Sequence, residues 1–359
     1  MEIQIETFTV HKKFALTISR GTTAESTNIL VKIQHEGIEG WGEASPFSAG
    51  RAPQTTETLL EALQRVAPSL KKYSPIEEEA IEKLLINEKI PSAARAAIDI
   101  ALHDWRGKKS GLPLWQLFGL ERDRIVPISV TIGINTPSGA RQRVRDWLDV
   151  VDARTFKVKL GSPRGIEADS AMLAAVKEEV PADAMIYVDA NGGWNLEDAA
   201  KMSEWLASLG VEYIEQPLAP DGEMEEFIAL RERSPLPIFL DESCFTSSDI
   251  PNLASCADGI NIKLMKSGGL TEALRTIDLA REYGLQIMLG CYSDSSLANT
   301  AAAQLAPLAD YLDLDSHLNL IDDPFVGAIV RDGRLLPNDL PGLGVTRDVK
   351  RASRPRCPT

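Results

Sequence analysis

TFKVKLG, residues 155–161, sets two lysines two positions apart inside an apolar, β-prone run. On a strand alternate side chains share a face, so Lys157 and Lys159 point the same way. Charged side chains are seldom buried unless they are paired. That face therefore meets either water or a concentration of negative charge. Runs of similar texture recur from Arg124 onward: PISVTIG, TFKVKLG, MIYVDA, VEYIEQP, PIFLDE, GINIKLM, QIMLGC and YLDLDS. Each adjacent pair brackets a helix-like segment, such as SGARQRVRDWLDVV, LEDAAKMSEWLASLG or LTEALRTIDLAREYG. Eight strands alternating with about seven helices spell an α/β fold of the (β/α)8-type barrel class. A doubly wound open sheet is the rival, but no glycine-rich dinucleotide turn follows the first strand.

Working outward, residues 1–50 read as short alternating strands with a turn at Gly37, and residues 53–120 as helices closed by Gly111 and Pro113. This half is α+β. The tail, with AIVRDGRLL and GLGV, has no barrel strand left to supply and is expected to return to the N-terminal part. The expected division is a capping domain at 1–122, a barrel at 123–321, and a returning segment at 322–359 whose end, KRASRPRCPT, reads as disordered.

Composition narrows the function. Of 359 residues, 44% are hydrophobic, enough for a large core, and the formal charge of −14 argues against a nucleic-acid or anionic-membrane surface. No apolar run reaches about 20 residues, and the N-terminus has no signal-like layout, so a soluble cytoplasmic protein is expected. Cys244, Cys256, Cys291 and Cys357 lack metal or disulfide spacing. A homo-oligomer is compatible with the sequence.

In such barrels chemistry gathers at the C-terminal strand ends. Those ends carry Lys157 and Lys159, Asp189, Glu215, Asp241, Lys263, then Asp313 and Asp315. From Lys159 to Lys263 the steps are 30, 26, 26 and 22 residues, one βα unit each. A single such residue reads as a solvated side chain, a turn or a helix cap. Three acids at one register are different: carboxylates converging in a barrel mouth repel one another unless a cation sits between them. All-oxygen ligation by Asp189, Glu215 and Asp241 suits Mg²⁺. The lysine face is thus expected to meet a carboxylate–metal site.

KVKLG, VDANGGW, YIEQPL, LDES and INIKLMKSGG, in this order, resemble the enolase superfamily, and most closely its muconate-lactonising subgroup. The resemblance extends over nearly the whole chain, including HDWRGKKSGLPLWQLFG. MLGCYSDSS has no histidine where the mandelate-racemase branch has one, so His11, His35, His103 and His317 are expected to be structural. The resemblance implies proton abstraction α to a carboxylate, with Mg²⁺ and Lys157 offsetting the charge of the enolate. Lys159 and Lys263 would flank the α-carbon as the two bases, their pKa values lowered by the metal and by each other.

The same lysines serve cycloisomerases, o-succinylbenzoate synthases, N-acylamino acid racemases and dipeptide epimerases. DLDSH, with Asp313 and Asp315 on one face, is similar to dipeptide epimerases, in which such a pair holds the substrate ammonium. The implied partner is a small dipeptide. Arg20, in LTISRGTTAES, matches an arginine that some epimerases use for a side-chain carboxylate, which makes Ala-Glu the leading substrate. PFSAGRAPQT is a second candidate lid, with Gly50 for mobility. Thr131 and Asn191 carry over to the surroundings of substrate and metal, and Asp294 is expected to orient Lys263. A non-catalytic barrel would have no reason to keep the six charged strand-end residues from Lys157 to Lys263.

Overall fold

The computed structural model describes residues 1–49 and 53–348; Gly50, Cys357 and the terminal KRASRPRCPT lie outside the described residues. The chain opens with an antiparallel meander, β1 (Glu2–Ile18), β2 (Gly21–His35) and β3 (Ile38–Ala44). These strands are far longer than the short ones expected, because one register runs from Glu2 to His11 and resumes, after a bulge, at Leu16. Glu36 and Gly37 both have positive φ, 50° and 76°, the two-residue hairpin geometry that follows strand twist.

Three helices follow: α1 (Thr56–Leu70) and α3 (Ser92–Ser110) cover the meander, and α2 (Glu78–Asn87) packs on α3. Thr55 caps α1 by accepting the Thr58 N–H, and Gly111 ends α3 in the left-handed conformation. The contact between α3 and β3 is so close that a Cβ on Gly42 would lie 1.9 Å from the Ala97 carbonyl oxygen. A short α4 (Leu114–Leu117) leads into the barrel.

The barrel runs β4 (Val130–Ile132), α5 (Pro137–Leu148), β5 (Thr155–Lys159), α6 (Ile166–Glu179), β6 (Met185–Asp189), α7 (Leu196–Ser208), β7 (Ile214–Glu215), α8 (Met224–Arg233) and β8 (Ile238–Leu240). It continues with α9 (Ile250–Leu253), β9 (Gly259–Lys263), α10 (Leu264–Ser267), α11 (Leu270–Glu282), β10 (Gln286–Gly290), α12 (Ser296–Ala303) and β11 (Tyr311–Asp313). The strands pair in parallel and in chain order, and a bridge between Ile128 and Leu312 closes the ring. Each of the eight expected runs supplies one strand. The crossover from β8 to β9 departs from the pattern, with only the four-residue α9 besides a single 3₁₀ turn. Inside the barrel, Tyr187, Tyr213, Phe239, Met288 and Tyr311 form a cluster separate from the main core. Gly259 makes room for it: a Cβ there would be 2.2 Å from the Phe239 ring.

Residues after 322 touch the N-terminal part. They form β12 (Phe325–Val326), which pairs with β15 (Thr346–Arg347), around a hairpin of β13 (Ile329–Arg331) and β14 (Arg334–Leu336). Phe325, fully buried, sits edge-on to Phe8 and Trp41. Asp104 of α3 accepts N–H bonds from Trp41 of β3 and Leu343 of the tail, tying three segments at one carboxylate. No described helix is long and apolar enough to cross a membrane.

Candidate active site

Alternation on β5 turns Thr155, Lys157 and Lys159 inward, and the same parity on the neighbouring strands turns Asp189, Glu215, Asp241, Lys263 and Asp313 toward them. Lys157 is completely buried, 2.6 Å from Glu215 Oε2 and 2.6 Å from Asp313 Oδ2. Lys159 Nζ lies 2.5 Å from Asp189 Oδ2, and Lys263 Nζ 2.7 Å from Asp241 Oδ2 and 4.5 Å from the centre of the Tyr292 ring. The lysine face thus meets a concentration of negative charge.

The carboxylate oxygens of Asp189, Glu215 and Asp241 come within 4.8 Å of one another, and all three residues are buried. Asn261 orients Glu215 by donating to Oε1 (2.9 Å), which leaves Oε2 with the Lys157 charge but no hydrogen bond. Gly290 leaves the space that Asn261 fills: a Cβ on Gly290 would be 2.5 Å from the Asn261 Oδ1. An all-oxygen, buried, mutually repelling donor set of this kind fits a hard divalent cation. Burial and Asp189 push the Glu215 carboxyl up to about 7. Asp241 has the opposite sign: burial disfavours its charge, but Lys263 and Lys266 outweigh it and hold the carboxyl far below the usual range. Burial alone would lower Lys263, yet Asp241 raises it well above its ordinary value. For Lys263 this reverses the expected lowering, because its ammonium itself neutralises Asp241.

The aspartate pair divides its labour. Asp313 Oδ2 bonds to Lys157 and Oδ1 accepts from the Ser129 hydroxyl, so its charge is already matched. Asp315 Oδ2 accepts the backbone N–H of Thr131 (2.7 Å) and makes no ion pair among the described residues. Burial and Asp313 push its carboxyl up to about 6. Of the pair, Asp315 is thus the one whose carboxylate has no ionic partner among the described residues.

Arg20 reaches the barrel mouth but is paired with Glu242 at 2.7 Å, and Asn191 bridges Asp189 (3.1 Å) and Glu242 (3.2 Å) through its amide. Asp294 makes no bond to Lys263 among the described residues; it accepts the Tyr292 N–H and faces Glu43. The Tyr292 ring and Asp241 meet the Lys263 ammonium directly. Phe47, from the second candidate lid, stacks on Tyr292 at 4.6 Å, while the loop is pinned at its ends by paired Phe47–Gln54 backbone bonds. Lys159, Lys263, Arg20, Asn191, Phe47 and Tyr292 all line a cavity of about 640 Å³. A second cavity, of about 440 Å³, lies between α2, α3 and α11 and includes none of the strand-end residues.

Sequence reasoning missed several members. Lys266, three positions after Lys263, folds back through α10 to bond Asp241 Oδ1 (2.5 Å). Asn261 was legible, two positions before Lys263 on the same inward face. Glu242 stood beside a predicted ligand, and only the cap supplies the partner that reveals it. Lys12 of β1 also lines the cavity, with no partner for its ammonium among the described residues. Of the histidines, His11 bonds Asp322 and His103 meets Thr271, while burial pushes His317 down to about 4. Cys256 and Cys291 are free thiols.

Two family models cover most of the chain. Residues 4–119 match the model described as mandelate racemase / muconate lactonizing enzyme, N-terminal domain, and residues 140–352 match the one described as enolase C-terminal domain-like. The chain belongs to the enolase superfamily. Among its relatives in the superfamily is a hydrophobic dipeptide epimerase of Flavobacteria bacterium (strain MS024-2A), 44% identical over 96% of this chain and 97% of that one. An L-Ala-D/L-Glu epimerase of Bacteroides thetaiotaomicron is 37% identical over 92% of this chain and 83% of its own length. A solved dipeptide epimerase from Enterococcus faecalis V583, complexed with Mg and L-Leu-L-Tyr, superposes with a TM-score of 0.88 at 32% identity, covering 96% and 99% of the two chains.

Proposed function

We propose that the protein is a dipeptide epimerase, an isomerase that inverts the α-carbon of the C-terminal residue by two-base 1,1-proton transfer. One observation carries this reading. Lys159 and Lys263 stand on β5 and β9, four strands apart in a ring of eight, and so face each other across the cavity. An α-carbon between them can lose its proton to one lysine, leave the electron pair in an enolate, and take a proton from the other lysine on the opposite face. Asp189, Glu215 and Asp241 would hold Mg²⁺, whose charge offsets the negative charge building on the substrate carboxylate. Lys157 adds a fixed ammonium to the same region, and Asp315 is the acceptor suited to a free α-ammonium, with Thr131 fixing its carboxylate.

The relatives named dipeptide epimerase support this reading. The cap is taken as residues 1–122, the barrel as 123–321, and the chain from 322 as the returning segment. The free thiols agree with a reducing setting such as the cytoplasm. Ala-Glu is the substrate that Arg20 suggests; a dipeptide with a neutral C-terminal side chain is a second reading, favoured by the Arg20–Glu242 ion pair. The rival activities are an N-acylamino acid racemase, o-succinylbenzoate synthase or cycloisomerase using the same lysines. Screening free and N-acylated dipeptides in D₂O with Mg²⁺ by mass spectrometry separates them. Deuterium at the C-terminal α-carbon of free dipeptides is expected; preference for an N-acyl amino acid over every free dipeptide would overturn the epimerase.

A further inference from the structure

The turn joining β1 to β2 lies over the cavity, and three donors pin it there. Ser19 Oγ and Arg20 Nη1 both donate to the Asn191 carbonyl, at 3.0 and 2.9 Å, and Arg20 Nη2 reaches Glu242 Oε1. The Glu242 side chain is 1% exposed, against 37% for Arg20. Glu242 Oε2 is buried with no hydrogen-bond partner, so the carboxylate depends on Arg20 and on the Asn191 amide. Its immediate neighbours Asp241 and Asp189 add like charge.

We propose that Glu242 is a specificity-determining residue: it commits Arg20 to latching the turn and thereby turns the site against acidic C-terminal side chains and toward neutral, apolar ones. This rests on the dipeptide-epimerase reading and deepens it by naming the class of side chain. An acidic side chain that recruits Arg20 must either draw it off Glu242, leaving a buried carboxylate beside Asp241 and Asp189, or share one guanidinium with it and crowd a further carboxylate into the group. Removing the partner of a buried charge is costly enough to predict discrimination of about 100-fold or more in kcat/KM. A neutral side chain leaves the latch closed and meets Leu16, Ile18, Phe47 and Tyr292 on the cavity wall.

The test is kcat/KM for L-Ala-L-Glu and L-Ala-L-Leu, followed by α-proton exchange, in the wild type and three variants. The wild type should prefer L-Ala-L-Leu. Glu242→Gln should raise the Glu-to-Leu ratio by about 10- to 100-fold, mainly through a lower KM for L-Ala-L-Glu, whereas Glu242→Asp should keep the wild-type ratio. Arg20→Met alone should leave the ratio within about threefold, and added to Glu242→Gln it should cancel the gain. An unchanged ratio in Glu242→Gln, or a selective loss of L-Ala-L-Glu activity in Arg20→Met, overturns the proposal while leaving the epimerase reading intact. Turnover of neither dipeptide by the wild type removes both.

Discussion

Lys157 has no exposed surface, yet it is a charged group, and it can stay so only because Glu215, Asp313 and, at 3.7 Å, Asp189 surround it. The same logic separates the roles of its neighbours and makes them measurable. With Lys159 and Lys263 on opposite walls, replacing either by alanine should abolish epimerisation, and exchange of the α-proton in D₂O should survive for one epimer at most. Exchange of both epimers in a single variant would mean that one base serves both faces. Because Asp313 is matched by Lys157 and Asp315 is not, their asparagine variants should differ. Asp315→Asn should raise KM for free dipeptides and cost about 10²–10³ in kcat/KM, with far less effect on N-acetylated ones. Asp313→Asn should lower kcat for both, since it strips a carboxylate from a buried ammonium. Exhaustive chelation should abolish turnover without unfolding the protein; full activity afterwards would sink the metal assignment. At this scale most of the site was legible, since strand alternation fixes which side chains converge. What was not legible is pairing: the sequence cannot say that Asp313 is spent on Lys157, or Arg20 on Glu242, because both pairs join residues more than 150 positions apart.

At the scale of elements, the joint between cap and barrel is built on a buried acid. Glu43, at the end of β3, accepts the backbone N–H groups of Ser295 and Ala298 at the start of α12, together with the Asn28 amide and the Ser45 and Ser295 hydroxyls. Burial, with Asp294 facing it, pushes its carboxyl up to about 7 from an ordinary 4.5. Between those values the unfolded chain has released the proton and the folded chain still holds it. Stability therefore falls as pH rises through this window, by about 3 kcal/mol in the limit. Urea unfolding from pH 4 to 8 should be less steeply pH-dependent in Glu43→Gln than in the wild type, where Glu215 and Asp315 add slope of the same sign; parallel profiles would refute the assignment. Sequence periodicity found all eight barrel strands, because each is a short apolar run between helices. It misjudged β1 and β2, where exposed threonines and glutamates broke an alternation that cross-strand bonding carries through. It also expected a full helix between β8 and β9, where only short turns connect the strands.

Over the whole molecule, the cap is completed by chain that comes after the barrel. Phe325 fills the space between Phe8 and Trp41, so Phe325→Ala should cost about 3–5 kcal/mol, read as a shift in the urea midpoint at constant slope. A loss below about 1 kcal/mol would show that the tail only rests on the cap. The sequence suggests a destination for the tail only by exclusion, once the eight strands are counted. The partners it chose could not be read there, since tertiary packing alone brings Leu343 to Asp104.

The plug of Tyr187, Tyr213, Phe239, Met288 and Tyr311 fills the barrel and gives the chamber at its mouth a floor. The turn that Arg20 fastens lines the same cavity and frames a door for substrate, product and solvent protons. On the two-lysine mechanism, inversion in one direction leaves Lys159 holding the proton it removed and Lys263 without the one it gave. The molecule that releases one epimer is thus a different protonation isomer from the one that bound the other. It returns to its starting form either by processing the opposite epimer or by trading protons with water through that door.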